Sequence, residues 1–270
     1  MSDRSAGLLA GLLDDLVAEA EVLTGMLAPL DDAAWERPTP APGWAIRDQV
    51  SHLAYFDDAA TLAATDPGRF RAETAALTGR LDTRGAALAD QIAGQHRQLP
   101  PAELLDWLRR ARTEYVRVLG GLDARTRLPW YGPGMSAASS VTARLMETWA
   151  HGQDVADALG VRRPATPRCA TLGFSFIHNG RGVPAATVRV DLAGPDGETW
   201  SWGPPGAPDS VTGPALDFCL AVTQRRHLDD LRLKVTGPVA AEWMSIAQAF
   251  AGPPGPGRRP GQFPQHQENR

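Results

Sequence analysis

Long runs with helical apolar spacing, separated by breaks rich in proline and glycine, fill the first 160 residues of this 270-residue chain. In the second run, Ile46, Val50 and Leu53 fall on one side of a helix. Ser136 or Ser139 could cap the last run, which ends at Gly160. The runs cover about 8–30, 43–64, 72–93, 102–122 and the stretch up to 160. Long helices with short connections predict a helix bundle over residues 1–160.

The pattern changes after "GVRRPATPR", a linker rich in proline and arginine. "ATVRVDLAGPDGETWSWG" alternates apolar and polar residues around Asp196-Gly197, which predicts a hairpin. "ALDFCLAVTQRRH" and "PVAAEWMSIAQAFAG" predict helices, and "LRLKVTG" predicts a strand. The fold class is therefore α+β, with the helix bundle followed by a small α+β domain over residues 165–252. The tail at 253–270 lacks core-forming residues and is predicted to be disordered.

Charge and composition argue against several classes of function. The net charge is −4 and no basic block marks a phosphate-binding face, so nucleic acid is not expected as a partner. The first 23 residues are acidic and interrupted by charge, which predicts neither a signal peptide nor a membrane span but a cytoplasmic protein. Cys169 and Cys219 lie in apolar segments without metal-ligand spacing, so we expect buried free thiols.

Five polar side chains share one narrow stripe of the helix that ends at Gly160: Ser140, Arg144, Glu147, His151 and Asp154. Such a stripe is ordinary on a solvated face, where Glu–His pairs four residues apart are common. The remaining circumference is mostly Val, Ala, Leu, Met and Trp, so a second solvated face is hard to identify. Polar groups inside a bundle need partners, and a divalent metal ion is an efficient one. The stripe thus indicates either a solvated face or part of a metal site.

His52 is the histidine best placed to complete such a site, because it lies in mid-helix within the bundle. His266 is in the tail, His178 and His227 are in the second half, and His96 is near a helix end. The alternative for His52 is a core or boundary histidine with an ordinary partner. Two imidazoles and one carboxylate that leave a position open resemble a catalytic zinc site, although nickel, iron or manganese also accept these ligands.

Five further charged residues each have two interpretations. Arg144 could hold a substrate carboxylate, although an ion pair or a surface position is simpler. Asp154 and Asp48 could each orient the imidazole one turn away along the helix, or could act at a helix end. Arg225 and Arg226 could bind substrate in a cleft, but favourable charges at a helix C-terminus are the simpler explanation.

Two segments resemble a known family. "PGWAIRDQVSHLAYFD" and "ARLMETWAHGQDVADALG" resemble the second- and fourth-helix motifs of the DinB-like superfamily, especially its mycothiol-dependent maleylpyruvate isomerase branch. This resemblance implies a four-helix bundle that binds zinc through His52, Glu147 and His151, followed by a small domain similar to sterol-carrier folds. It also implies mycothiol, the thiol of actinobacteria, as cosubstrate. The use of arginine at every basic position except Lys234 suggests a GC-rich genome, which agrees.

The expected function is a zinc-dependent enzyme that activates a low-molecular-weight thiol, expected to be mycothiol, for isomerisation of, or sulfur transfer to, a small electrophile. Two alternatives remain: a zinc hydrolase that uses metal-activated water, and a metal-binding protein without catalysis. The organic substrate, the identity of the thiol and the oligomeric state are not encoded in any motif of the chain.

Overall fold

The structure is a computed structural model that describes residues 2–78, 85–179, 188–250 and 257–263. The chain divides into two compact units, Met1–Arg162 and Arg163–Arg270. None of the described helices is long and apolar enough to cross a membrane. The secondary structure confirms the predicted α+β class, with helices throughout the first unit and a four-stranded sheet in the second.

The first unit is built on four long helices, with three shorter ones between them. Its helices are α1 Ser2–Leu27, α2 Asp32–Trp35, α3 Ile46–Thr65, α4 Pro67–Thr78, α5 Gly85–Gln95, α6 Pro101–Gly120 and α7 Ala137–Leu159. Helix α3 packs against both α6 and α7, and α1 packs against α7. The predicted apolar side of α3 is confirmed, because Ile46, Val50 and Leu53 are all fully buried. Burial of these side chains removes apolar surface from water and holds α3 at the centre of the bundle.

The connections differ from the sequence-based expectation in three places. The single helix expected over 72–93 appears as α4, which starts earlier at Pro67, and α5, while residues 79–84 lie outside the described part. A short helix, α2, follows Asp31, whose carboxylate accepts a hydrogen bond from the Ala34 N–H at 2.8 Å. The break "PWYGPGMS" ends in strand β2 Met135–Ser136, which pairs antiparallel with β1 Arg127–Leu128 just before the break.

The second unit is a four-stranded sheet with helices before, within and after its strands in sequence. Its elements are α8 Arg168–Asn179, β3 Val188–Ala193, β4 Thr199–Trp202, β5 Asp209–Pro214, α9 Ala215–Val222, β6 Lys234–Thr236 and α10 Pro238–Ser245. The strand order is β4-β3-β5-β6, and only the β3–β5 pair is parallel. The predicted hairpin is confirmed as β3–β4, with Gly197 at φ +87° in its turn.

Other details of this unit were missed or differ in length. Helix α8 and strand β5 were not predicted, and α10 ends at Ser245 rather than near residue 252. Cys169 and Cys219 are buried free thiols, as expected. The region proposed as a disordered tail falls partly outside the described residues. Within its described part, the Gly261 N–H donates to the Asp230 carboxylate at 2.8 Å.

Candidate metal centre

Helix α7 carries the polar stripe into the interior of the bundle. The Ser136 side chain caps the helix by accepting a hydrogen bond from the Ser139 N–H at 3.1 Å, which settles the choice between the two serines. Gly160 ends the helix at φ +68°, a left-handed conformation that glycine adopts readily. Ser140, Arg144 and Asp154 are buried, so the stripe is not a solvated face.

Three polar atoms from two helices converge beside this stripe. His52 on α3 places its Nε2 atom 3.5 Å from Oε2 of Glu147 on α7. His151, one turn along α7, places its own Nε2 3.0 Å from the same oxygen. One ligand atom from each of the three residues lies within 4.8 Å of the others. The two imidazole rings are in contact, with centroids 4.4 Å apart.

The surroundings of the cluster set the protonation of two of its members. Burial lowers the pKa of His52 to about 4, and the neighbouring His151 acts in the same direction, while Glu147 offsets part of the effect. Burial alone would raise the pKa of Glu147, but hydrogen bonds to His151 and His52 outweigh it and hold that pKa well below its usual range. Near neutral pH the cluster therefore presents a neutral His52 and an ionised Glu147.

These atoms fit a divalent metal ion. Ligand atoms about 2 Å from a tetrahedral zinc ion lie about 3.3 Å from each other, and the distances from Glu147 Oε2 to the two imidazole nitrogens are close to this value. Neutral imidazole and ionised carboxylate are also the forms of these ligands that bind metal. A set of three protein ligands would leave a coordination position for an exogenous molecule.

Aromatic side chains cover the two imidazoles. Trp44 stacks on His151 at 5.8 Å between ring centroids, and Phe56 contacts His52 at 4.7 Å. Phe56 in turn packs against Tyr131. Tyr131 also lines a cavity of about 510 Å³, together with Tyr55, Asp58, Ala59, Leu62, Arg69, Phe70, Glu73, Thr74, Ala76 and Leu77. This cavity is large enough for a small organic molecule.

A buried ion-pair network lies next to the cluster, and its central member, Asp57, was not identified from the sequence. Asp57 is fully buried on α3, and its carboxylate accepts hydrogen bonds from Arg112 Nε at 2.7 Å and Arg144 Nε at 2.9 Å. Arg144 also donates to the Leu53 carbonyl at 3.2 Å. Its guanidinium is thus engaged by groups of the bundle itself, as the ion-pair interpretation anticipated.

Three of the other candidates hydrogen-bond to groups that are not part of the cluster. Asp48 caps the start of α3 by accepting from the Ala45 N–H at 2.8 Å, and it also pairs with Arg97. Asp154 is buried in α7. Arg225 and Arg226 follow α9 in the second unit, where each donates to a nearby backbone carbonyl at 2.7 Å.

The partner of His151 was also missed. The imidazole Nδ1 hydrogen-bonds with Oε1 of Gln49, and its Nε2 faces Glu147. Contact with His151 was one of two interpretations of Asp154. Gln49 lies on α3, three residues before His52. The only signal in the sequence was its position on the same helix side as His52, which any surface glutamine could share.

Neither cysteine offers a nucleophile. The Cys219 thiol donates to the Cys169 carbonyl at 3.6 Å. A side-chain interaction with Cys169, together with burial, raises the pKa of Cys219 well above the usual range. Cysteine acts as a nucleophile only as thiolate. A thiol used in chemistry at this protein would therefore have to come from outside the described chain.

Comparisons with known proteins agree with the fold. Two crystal structures, of the mycothiol-dependent maleylpyruvate isomerase and of a histidine-to-alanine mutant of it, superpose with a TM-score of 0.58 over 84% of this chain and 92% of theirs. Their identity is 14–15%, which supports similarity of fold alone. Two uncharacterized proteins from Mycobacterium tuberculosis strains CDC 1551 / Oshkosh and H37Rv are 47% identical over 253 residues, or 90% of this chain and 96% of theirs.

The family match covers the helices that carry the cluster. The model of the mycothiol maleylpyruvate isomerase N-terminal domain matches residues 16–156, a range that includes His52, Glu147 and His151. This range is just over half of the chain. The chain therefore belongs to the DinB-like family of the mycothiol maleylpyruvate isomerase N-terminal domain.

Proposed function

We propose that this protein is a zinc-dependent enzyme that uses a low-molecular-weight thiol, mycothiol, for isomerisation of, or sulfur transfer to, a small electrophilic substrate. The observation that carries the proposal is the convergence of His52 Nε2, His151 Nε2 and Glu147 Oε2 on one point of the bundle. The family match supports the choice of thiol. Zinc held by these groups would lower the pKa of a thiol bound to it, which supplies an anionic nucleophile near neutral pH.

The protonation states and charges of the cluster suit this role. His52 stays neutral above pH 5 because burial lowers its pKa to about 4, so its Nε2 lone pair is available without the loss of a proton. Glu147 supplies one negative charge. Two imidazoles bound in their neutral form and one carboxylate would leave one positive charge of a divalent ion unbalanced, which an anionic thiolate could neutralise.

The aromatic side chains contribute in a second way, by shielding the cluster from water. Trp44 and Phe56 cover the imidazole rings and limit the access of water from their side. A drier site strengthens the attraction between opposite charges. The cavity beyond Tyr131 offers space for an organic substrate of modest size. Cys169 and Cys219 are buried and take no part, so the sulfur comes from the added thiol.

The metal site is tested by elemental analysis of the purified full-length protein and of three variants, His52→Ala, Glu147→Ala and His151→Ala. We expect one zinc per chain in the wild type and loss of stoichiometric metal in each variant. His227→Ala is the matched control, because this histidine lies in the second unit. Metal retained in all three variants would exclude this ligand set.

The role of the thiol is tested by thermal-shift measurements with mycothiol and glutathione, with and without zinc. A shift caused by mycothiol that requires zinc supports a thiol-dependent enzyme. Zinc binding without any thiol effect, combined with hydrolysis of ester or amide substrates, would favour the hydrolase instead. Zinc binding with no turnover at all would favour a non-catalytic metal site.

A further inference from the structure

Gln49 places a polar side chain in the buried interior of the bundle. The residue is fully buried on α3, and its amide connects the loop before α3 to the cluster. Gln49 Nε2 donates to Thr39 Oγ1 at 2.8 Å, and Gln49 Oε1 contacts Nδ1 of His151. A buried amide without partners would cost several kcal/mol, about 2–7 kcal/mol depending on the reference. Both ends of this amide are satisfied by specific partners.

The direction of these hydrogen bonds follows from the number of protons available. The Thr39 hydroxyl has one proton and donates it to the Trp44 carbonyl at 2.9 Å. Towards Gln49 the hydroxyl oxygen can therefore only accept, which turns the amide nitrogen to Thr39 and the amide oxygen to His151. An amide oxygen only accepts, so Nδ1 of His151 carries the proton.

We propose that Thr39 and Gln49 are positioning residues that hold a proton on Nδ1 of His151, so that Nε2 is the nitrogen directed at the metal position. The inference deepens the proposed function and rests on it for the identity of the ligand at Nε2. In a neutral imidazole only one nitrogen is protonated, so a proton held at Nδ1 leaves Nε2 free to bind a metal ion. Neither Thr39 nor Gln49 touches that position itself.

His52 lacks a comparable partner, which makes the arrangement asymmetric. Its buried Nδ1 has no hydrogen-bond partner among the described residues, whereas both nitrogens of His151 are engaged. His52 is instead held by ring contacts with Trp44 and Phe56. Nδ1 of His151 thus has a hydrogen-bond partner that fixes its proton, whereas Nδ1 of His52 has none among the described residues.

The loop that supplies Thr39 also supplies a cover for the same imidazole. The Thr39 N–H donates to the Trp44 carbonyl at 2.7 Å, and Pro38 and Ala45 form an isolated bridge that closes the loop. The Trp44 ring then stacks on His151. One closed loop therefore orients His151 through Thr39 and covers it with Trp44.

The tautomer is measured directly by ¹⁵N NMR of the metal-free full-length protein labelled at histidine, at pH 7.5. We expect Nδ1 of His151 to be protonated in the wild type and in Thr39→Ser. In Thr39→Val the amide of Gln49 loses its acceptor and can turn over, so we expect the Nε2–H form to increase. Gln49→Leu should have the same effect. Signals of His52 provide the internal reference. Thr113→Val is the control variant, because the Thr113 hydroxyl donates to the Arg109 carbonyl at 2.8 Å on another helix.

Zinc affinity, measured by competition with a chromophoric chelator, provides the second readout. Loss of a group that orients a metal-ligating histidine costs about 10–100-fold in affinity, and we expect losses in this range for Thr39→Val and Gln49→Leu, with recovery in Thr39→Ser. An Nε2–H tautomer in the wild type, or unchanged tautomer and affinity in Thr39→Val, would overturn the inference. If the wild type binds no zinc, the proposed function fails, and the NMR result on metal-free protein still decides whether Thr39 and Gln49 set the tautomer.

Discussion

Asp57 is a single buried carboxylate between two buried arginines, and its replacement by asparagine should strongly destabilise the bundle. The carboxylate accepts from Arg112 Nε at 2.7 Å, Arg112 Nη2 at 3.2 Å and Arg144 Nε at 2.9 Å. Asp57→Asn keeps the shape but leaves both guanidinium groups without their counter-charge. Breaking a buried pair in this way costs about 3–5 kcal/mol. At about 2–4 °C per kcal/mol, the melting temperature should fall by about 6–20 °C.

The assay is urea unfolding followed by circular dichroism, with hydrogen exchange of α3 amides to locate the loss in the bundle. Asp106→Asn is the matched control, because Asp106 and Arg109 form an exposed pair at 3.9 Å that should contribute less than about 1 kcal/mol. Arg144→Met added to Asp57→Asn removes one unbalanced charge and should recover part of the stability. Equal stability of Asp57→Asn and Asp106→Asn would refute the reasoning.

Three further predictions concern pH, backbone conformation and a helix cap. Lowering the pH of the metal-free protein from 6.5 to 4 should reduce its free energy of unfolding by about 3 kcal/mol, and His52→Gln should not show this loss. The reason is that burial lowers the His52 pKa to about 4 in the folded protein, so this imidazole binds its proton at higher pH in the unfolded chain. Gly203→Ala should lower the free energy of unfolding in urea by about 2–5 kcal/mol, because φ is +81° and the added Cβ would lie 2.1 Å from the Val188 carbonyl oxygen. Gly206→Ala, where φ is +76° and no atom lies near the added Cβ, should lower it by only about 1–2 kcal/mol. Ser136→Ala should cost about 1 kcal/mol by the same measurement, through loss of the cap of α7.

Each of these has an outcome that contradicts it. Identical pH profiles for wild type and His52→Gln would mean that His52 is not held neutral by burial. Equal losses in Gly203→Ala and Gly206→Ala would show that the contact with Val188 relaxes at no cost. A Ser136→Ala protein as stable as the wild type would indicate that another group satisfies the first turn of α7.

Local features of the chain explain which parts of the fold could be predicted. The bundle follows from apolar side chains at spacings of three and four, as in α3, and the β3–β4 hairpin follows from alternation around Asp196-Gly197. Strand β5 was missed because "DSVTGP" combines one large apolar residue with turn-forming glycine and proline. It is a strand because β3 and β6 pair with it on both sides. Helix α8 was missed because Thr, Gly, Phe, Ser and His give "RCATLGFSFIHN" a low helix propensity.

The candidate site likewise contains residues that could be predicted from the sequence and residues that could not. Glu147 and His151 share a face of one helix, and the small number of histidines made His52 the natural third member, so the cluster was visible in the sequence. Gln49 and Asp57 could not be recognised from the sequence, because their roles depend on partners that lie 102 and 87 positions away along the chain. A glutamine or an aspartate on a helix has the same appearance in sequence whether it faces water or a buried partner.

Because the cluster spans two separate helices, a metal ion bound there would influence folding as well as chemistry. His52 belongs to α3 and its two companions to α7, so the three groups come together only when these helices are packed. An ion that binds the native cluster and not the unfolded chain stabilises the protein by mass action, by about 4 kcal/mol at a free concentration 1,000 times the Kd. The folded fraction of this protein would then follow the supply of metal in its surroundings, so that a shortage of metal would lower the amount of folded protein.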